Sequence, residues 1–86
     1  MAGPNVLNYN EEVGYPTWQA GKSTRLYIQN LDRQYTGKVN VFVYGAGLQE
    51  DVFVSANQIE YIDRDWAGLY IQVTNNGGPT MKVWTE

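Results

Sequence analysis

The sequence contains no cysteine and no histidine. The first absence excludes a disulfide scaffold, and the two together exclude an ordinary structural zinc site. They also remove the commonest general base and the strongest nucleophile from any catalytic scheme. Serine is nearly as scarce: Ser23 and Ser55 stand alone, and Lys22 beside Ser23 is the sole suggestive neighbour. Carboxylates are present, but a glycosidase cleft is hard to build in so short a chain. The chain is therefore read as non-enzymatic, with no catalytic residue, no metal and no cofactor expected. No apolar run approaches the roughly 18 residues of a membrane-spanning helix. The first residues, MAGPNVLNYN, lack the basic and apolar regions of a secretory leader, so no signal peptide is expected and the compartment stays open. Positive charge is also short. Six Lys and Arg face nine Asp and Glu, and the net charge of −3 argues against nucleic acid as a partner.

What is present points to strands. The 86 residues suit one domain, residues 1–86. Hydrophobic residues make up 43% and aromatic residues 14%, which is incompatible with charge-rich disorder. Seven Tyr and three Trp fit pleated, half-buried surfaces, while nine Gly and eight Asn supply turns. No helical period is sustained, whereas alternation with period two recurs. Clear strands are TRLYIQN (24–30), KVNVFVY (38–44), DVFV (51–54), QIEYID (58–63), LYIQVT (69–74) and TMKVWT (80–85). Val6, Leu7 and Tyr9 suggest a further short strand. GYPTW (14–18) reads as a turn or irregular edge because Pro16 cannot donate to a ladder, and GAGLQE (45–50) reads as a connection. The expectation is an all-β fold: a small antiparallel sandwich or barrel of six to seven strands with Greek-key or immunoglobulin-like connections.

An internal echo accompanies this pattern. LYIQ occurs at 26–29 and again at 69–72. Each copy follows a Trp and an Ala-Gly (Trp18, Ala20-Gly21; Trp66, Ala67-Gly68) and precedes a Lys-Val (Lys38-Val39; Lys82-Val83). A duplicated half-domain and the small alphabet of strand sequences both account for it.

Alternation also assigns faces, since neighbouring side chains on a strand point to opposite sides. Leu26, Ile28, Val39, Val41, Val43, Leu69, Ile71, Val73, Met81 and Val83 form one aliphatic parity. Burying each contributes roughly 1.5–3 kcal/mol, which fixes them as the core. The other parity then places Tyr27, Phe42, Tyr44, Tyr70 and Trp84 outside among Gln29 and Gln72. Rings with neighbouring amides suit sugars, which offer an apolar face and a hydroxyl edge. The expected function is a lectin-like, carbohydrate-binding module using Tyr27, Gln29, Phe42, Tyr44, Tyr70, Gln72 and Trp84. Trp18 and Trp66, as turn or rim residues, are substitutes. The alternative is a structural or interaction protein that forms a homo-oligomer through the same face or by strand-edge pairing. Exposed rings that merely stack in cross-strand pairs are the plainer reading of the same residues.

The remaining motifs carry less. Residues 1–43 hold four basic and three acidic groups, and residues 44–86 hold two basic and six acidic, a polarity suited to head-to-tail contact. AGKST (20–24) has the end of a phosphate loop, but Pro16 replaces the required glycine and a strand follows instead of a helix. Asp63 and Asp65 flank Arg64 in a pattern that reads as a carboxylate-stabilised turn rather than a calcium loop. The segment Tyr61 to Gly68 is similar to the aromatic-x4-aromatic-x-Gly signature of βγ-crystallin Greek keys, and NNGGPT (75–80) to a degenerate form of that family's calcium sequence. The interval between them is shorter than that family's and the first half has no clean copy, so the family is not assigned.

Overall fold

A computed structural model describes residues 2–86. Its strands are β1 (Ala2–Leu7), β2 (Glu12–Tyr15), β3 (Thr24–Asn30), β4 (Gly37–Val43), β5 (Leu48–Val54), β6 (Ile59–Arg64), β7 (Ile71–Asn75) and β8 (Met81–Thr85). They form two four-stranded antiparallel sheets, in the orders β1-β8-β3-β6 and β2-β7-β4-β5. The pairs β1–β8, β2–β7, β3–β6 and β4–β5 nest inside one another, so the chain is one long hairpin rolled into a sandwich. This is the double Greek key of a jelly roll, an all-β solution that buries one face of each sheet.

The burial pattern of β3, β4, β7 and β8 alternates without a break. Leu26, Ile28, Val39, Val41, Val43, Ile71, Val73, Met81 and Val83 are buried between the sheets, joined by Leu7, Tyr15, Val54 and Trp66. Two side chains depart from their expected places. Leu69 lies ahead of β7, outside the pleat that would have turned it inward, and is exposed. Trp66, expected at a rim, is only 7% exposed and belongs to the core. The turn that carries it is folded back by Asp65, whose carboxylate accepts hydrogen bonds from the Ala67 and Gly21 amides. The turn-and-carboxylate reading of this segment describes Asp65, and the AGKST amide that resembled a phosphate loop is engaged by it.

Eight strands form where six to seven were expected; β1 runs Ala2–Leu7 and leaves Tyr9 in a turn, and the largest boundary changes are in two further places. The segment read as a turn at Gly14 supplies the end of β2, paired to β7 through Gly14 opposite Gln72 and Tyr15 opposite Ile71. Pro16 follows immediately and ends the strand. In the connection read at 45–50, Leu48 to Glu50 belong to β5, opposite Val43 to Val41. The first LYIQ copy falls on β3, the second runs into the start of β7 at Ile71 and Gln72, and the Lys-Val copies fall on β4 and β8. Adding four to the strand number converts β1-β8-β3-β6 into β5-β4-β7-β2, so the echo lies on strands exchanged by the fold's internal two-fold.

Tyr15 bolts the two sheets together. It stands on β2 but its hydroxyl lies 2.7 Å from Asn5 Oδ1 and 3.1 Å from the Val83 carbonyl, both in the opposite sheet. Burial disfavours the phenolate and pushes its pKa up to about 12 from the ordinary tyrosine value of 10.0. The folded state therefore holds this proton more tightly than the unfolded state. The contribution is complete below pH 10 and is lost as pH rises through the folded value. We expect stability to fall by on the order of 2 kcal/mol between about pH 10 and pH 12, with that component absent in Tyr15→Phe. Urea unfolding at stepped alkaline pH measures it, and identical pH slopes in both proteins would refute it.

Candidate functional site

The outward parity of each sheet carries rings, but the two sheets arrange them differently. On β1-β8-β3-β6, Tyr27 sits opposite both Trp84 and Tyr61. The Tyr27 and Trp84 rings stack at 5.1 Å with 9° between planes, and Tyr61 tilts against Tyr27 at 5.8 Å. Arg25 lies 4.5 Å over the Tyr61 ring and Lys82 lies 5.8 Å from the Trp84 ring. Arg25 also forms a bidentate pair with Asp63 at 2.9 and 3.0 Å, which holds the Asp63 carboxyl below its ordinary value. Gln29 falls between Lys82 and Ile59 in the register. Every ring of this ladder thus spends a face on a neighbouring ring or cation, and the plainer cross-strand reading describes it well.

The face of β2-β7-β4-β5 is open. Tyr44 and Tyr70, 43% and 50% exposed, lie 6.2 Å apart with planes at 44°. Phe42 meets the edge of Tyr44 at 5.4 Å. The Tyr44 hydroxyl donates to Gln72 Oε1 at 2.9 Å, which orients that amide and leaves its NH₂ group to donate outward. Beside Phe42 lies Gln49, and Asn40 Nδ2 donates to Gln49 Oε1 and Asp51 Oδ1. Gly14 makes the arrangement feasible. A Cβ there would stand 2.3 Å from Tyr70 Cε2, so the Tyr70 ring rests directly over the backbone of β2. Among the described residues no cation lies over Phe42, Tyr44 or Tyr70.

The seven residues singled out in the sequence are therefore divided. Tyr27, Gln29 and Trp84 share one face, while Phe42, Tyr44, Tyr70 and Gln72 share the other. Alternation reports parity within a strand but not which sheet the strand enters, and that is why a single face was expected. Tyr61, Asn40, Gln49, Asp51 and Gly14 were missed. The parity of β6, with Ile62 turned inward, would have found Tyr61. The remaining four depend on cross-strand register. Trp66, named as a substitute, is in the core. Trp18 remains at the surface, but Lys22 Nζ lies 3.7 Å over its ring. It walls a shallow cleft of about 220 Å³ with Pro16, Thr17, Thr24 and Thr85. Asp63 is committed to Arg25 and Asp65 to two backbone amides. Among the described residues no group of three or more acidic side chains is placed to hold a metal ion.

Comparison with known proteins places the sequence in a family. The sequence profile of DUF8244, described as a family of unknown function, matches residues 8–86. Two uncharacterized proteins of Dictyostelium discoideum are 36% and 33% identical to this chain over 86 residues, each alignment covering 99% of both sequences. No solved structure matches.

Proposed function

The chain belongs to the DUF8244 family, and we propose that it is a non-catalytic module that binds carbohydrate on the outer face of β2-β7-β4-β5. The observation that supports this reading is the exposed Tyr44–Tyr70 pair with the Gln72 amide locked beside it. A pyranose presents axial C–H groups on one face and hydroxyls around its edge. The tilted phenol rings supply apolar contact for the first, and Gln72, Gln49 and Asp51 supply donors and acceptors for the second. Aromatic anchors of this kind dominate binding energy where they are desolvated.

The test is calorimetric titration of the protein with a panel of oligosaccharides. Tyr44→Ala and Tyr70→Ala should each weaken the best ligand by about tenfold or more, the effect of losing roughly 1.4 kcal/mol at an anchor. Tyr27→Ala, on the opposite face, should leave the affinity unchanged. Equal losses from all three substitutions, or no response to any glycan, would overturn the assignment.

A further inference from the structure

The four sheet edges are not alike. β1 contains Pro4, which has no N–H, and its pairing is irregular between Ala2 and Asn5. β2 is four residues long. Both are blunted as edges. β5 is long, but its charged side chains, Glu50 and Asp51, are both acidic, so pairing with a second β5 would set acid near acid. β6 alone is long, regular and of mixed charge: Ile59, Glu60, Tyr61, Ile62, Asp63 and Arg64.

The backbone polarity of β6 follows from its pairing with β3. The Asn30 amide donates to the Gln58 carbonyl, and Ile28, Leu26 and Thr24 pair with Glu60, Ile62 and Arg64 in the same phase. The N–H and C=O groups of Ile59, Tyr61 and Asp63 therefore point away from the sheet. Among these, the Asp63 carbonyl accepts from Arg64 Nη1, and a carbonyl has a second lone pair to offer.

We infer that β6 is a self-association edge that pairs antiparallel with β6 of a second copy, with Ile62 on the two-fold axis. This register sets Tyr61 opposite Asp63 of the second copy, so the outward backbone groups of both residues exchange hydrogen bonds. It also sets Glu60 opposite Arg64 of the second copy, twice by symmetry. Shifting the centre to Tyr61 would instead face Glu60 with Ile62 and forfeit both charge pairs. Opposite charges across a strand pair favour one register, and mismatches disfavour the others. Arg64 already grips Glu50 of β5 at 2.9 and 3.1 Å, so the second copy's Glu60 meets a guanidinium that is held in place. The Tyr44–Tyr70 face lies on the other sheet and stays free, so one dimer displays two such faces.

Ile62 opposite Ile62 is a non-hydrogen-bonded pair, in which Cα atoms lie about 4.5 Å apart, within the range a disulfide spans. The chain has no cysteine of its own, so Ile62→Cys is a clean probe. Oxidised Ile62→Cys should form a covalent dimer, while Ile59→Cys, which is far from its own symmetry mate, should form at least about tenfold less. Sedimentation of the unmodified protein should show monomer giving way to dimer between about 10 µM and about 1 mM, the range set by a small interface. Glu60→Lys, at an exposed site, should weaken that association by about tenfold or more, most strongly at low salt. A single monomer mass throughout, or a dimer that Ile62→Cys does not cross-link, would overturn the inference. Tyr44→Ala should leave the dimer intact, so loss of sugar binding and loss of association are separately visible.

Discussion

Asn75→Asp should remove a large share of the protein's stability at neutral pH. The Asn75 side chain is fully buried at the end of β7, where Nδ2 donates to the Leu7 carbonyl at 2.9 Å and the Pro79 carbonyl at 2.7 Å. Its Oδ1 accepts the Gly77 amide at 3.0 Å. One side chain thus ties β1, β7 and the loop before β8. A carboxylate of the same shape has no hydrogen to give, so two carbonyl oxygens would face a buried negative charge. Uncompensated buried charge costs about 3–5 kcal/mol, against a total stability of roughly 4–13 kcal/mol for a chain of this length. Burial raises the folded pKa of that carboxyl above its free value of about 4, and protonation restores one donor, so the loss should shrink as pH falls from neutral toward about pH 4. Urea denaturation at pH 7 and pH 4 checks this, and a change under about 1 kcal/mol at neutral pH would contradict it. Asn30 at the end of β3 repeats the arrangement, donating to the Tyr35 and Val54 carbonyls and accepting from the Asp32 amide. Asn30→Asp should therefore behave alike.

Gly77→Ala is expected to be the most costly single-methyl addition. A Cβ at Gly77 would stand 2.1 Å from the Lys38 backbone nitrogen and 2.9 Å from the Gly37 carbonyl carbon. Those atoms belong to β4 and cannot rotate aside as a side chain can. The loop would have to lift, breaking the Asn76 amide's bond to the Lys38 carbonyl and the Gly77 amide's bond to Asn75. Two lost hydrogen bonds and a displaced loop together cost about 2–4 kcal/mol. Gly78 is the control. Its added Cβ would meet nothing, and its φ of 89° imposes only backbone strain of about 1–2 kcal/mol. Thermal unfolding of both variants decides the matter, and a Gly78→Ala change as large as that of Gly77→Ala would contradict the close approach.

The fold was legible where a strand is buried on one face only. β3 runs from Thr24 to Asn30, the limits that its alternation gave. β4, β7 and β8 shift by one or two residues at their ends, because fraying and turn geometry, rather than parity, set the ends. β2 was not legible. Its four residues contain Gly14 and abut Pro16, so local propensity reads as a turn, and only pairing with β7 makes it a strand. Trp66 illustrates the same limit from the other side. A Trp in a Gly-bearing turn reads as rim, and it is the Asp65 cap that sends it inward. The site was half legible. Parity put the rings of Tyr27, Phe42, Tyr44, Tyr70 and Trp84 outside correctly, but the partition between two sheets is a property of topology. The distinction between a ladder satisfied by Arg25 and Lys82 and an open Tyr44–Tyr70 pair required side-chain geometry.

The most direct measurement of the proposed activity is a residue-resolved NMR titration with the best glycan of the panel. Shifts should concentrate at the Tyr44 and Tyr70 rings and the Gln72 side-chain amide, with Tyr27, Tyr61 and Trp84 unmoved. Shifts centred on Tyr27 and Trp84, or none anywhere, would contradict it.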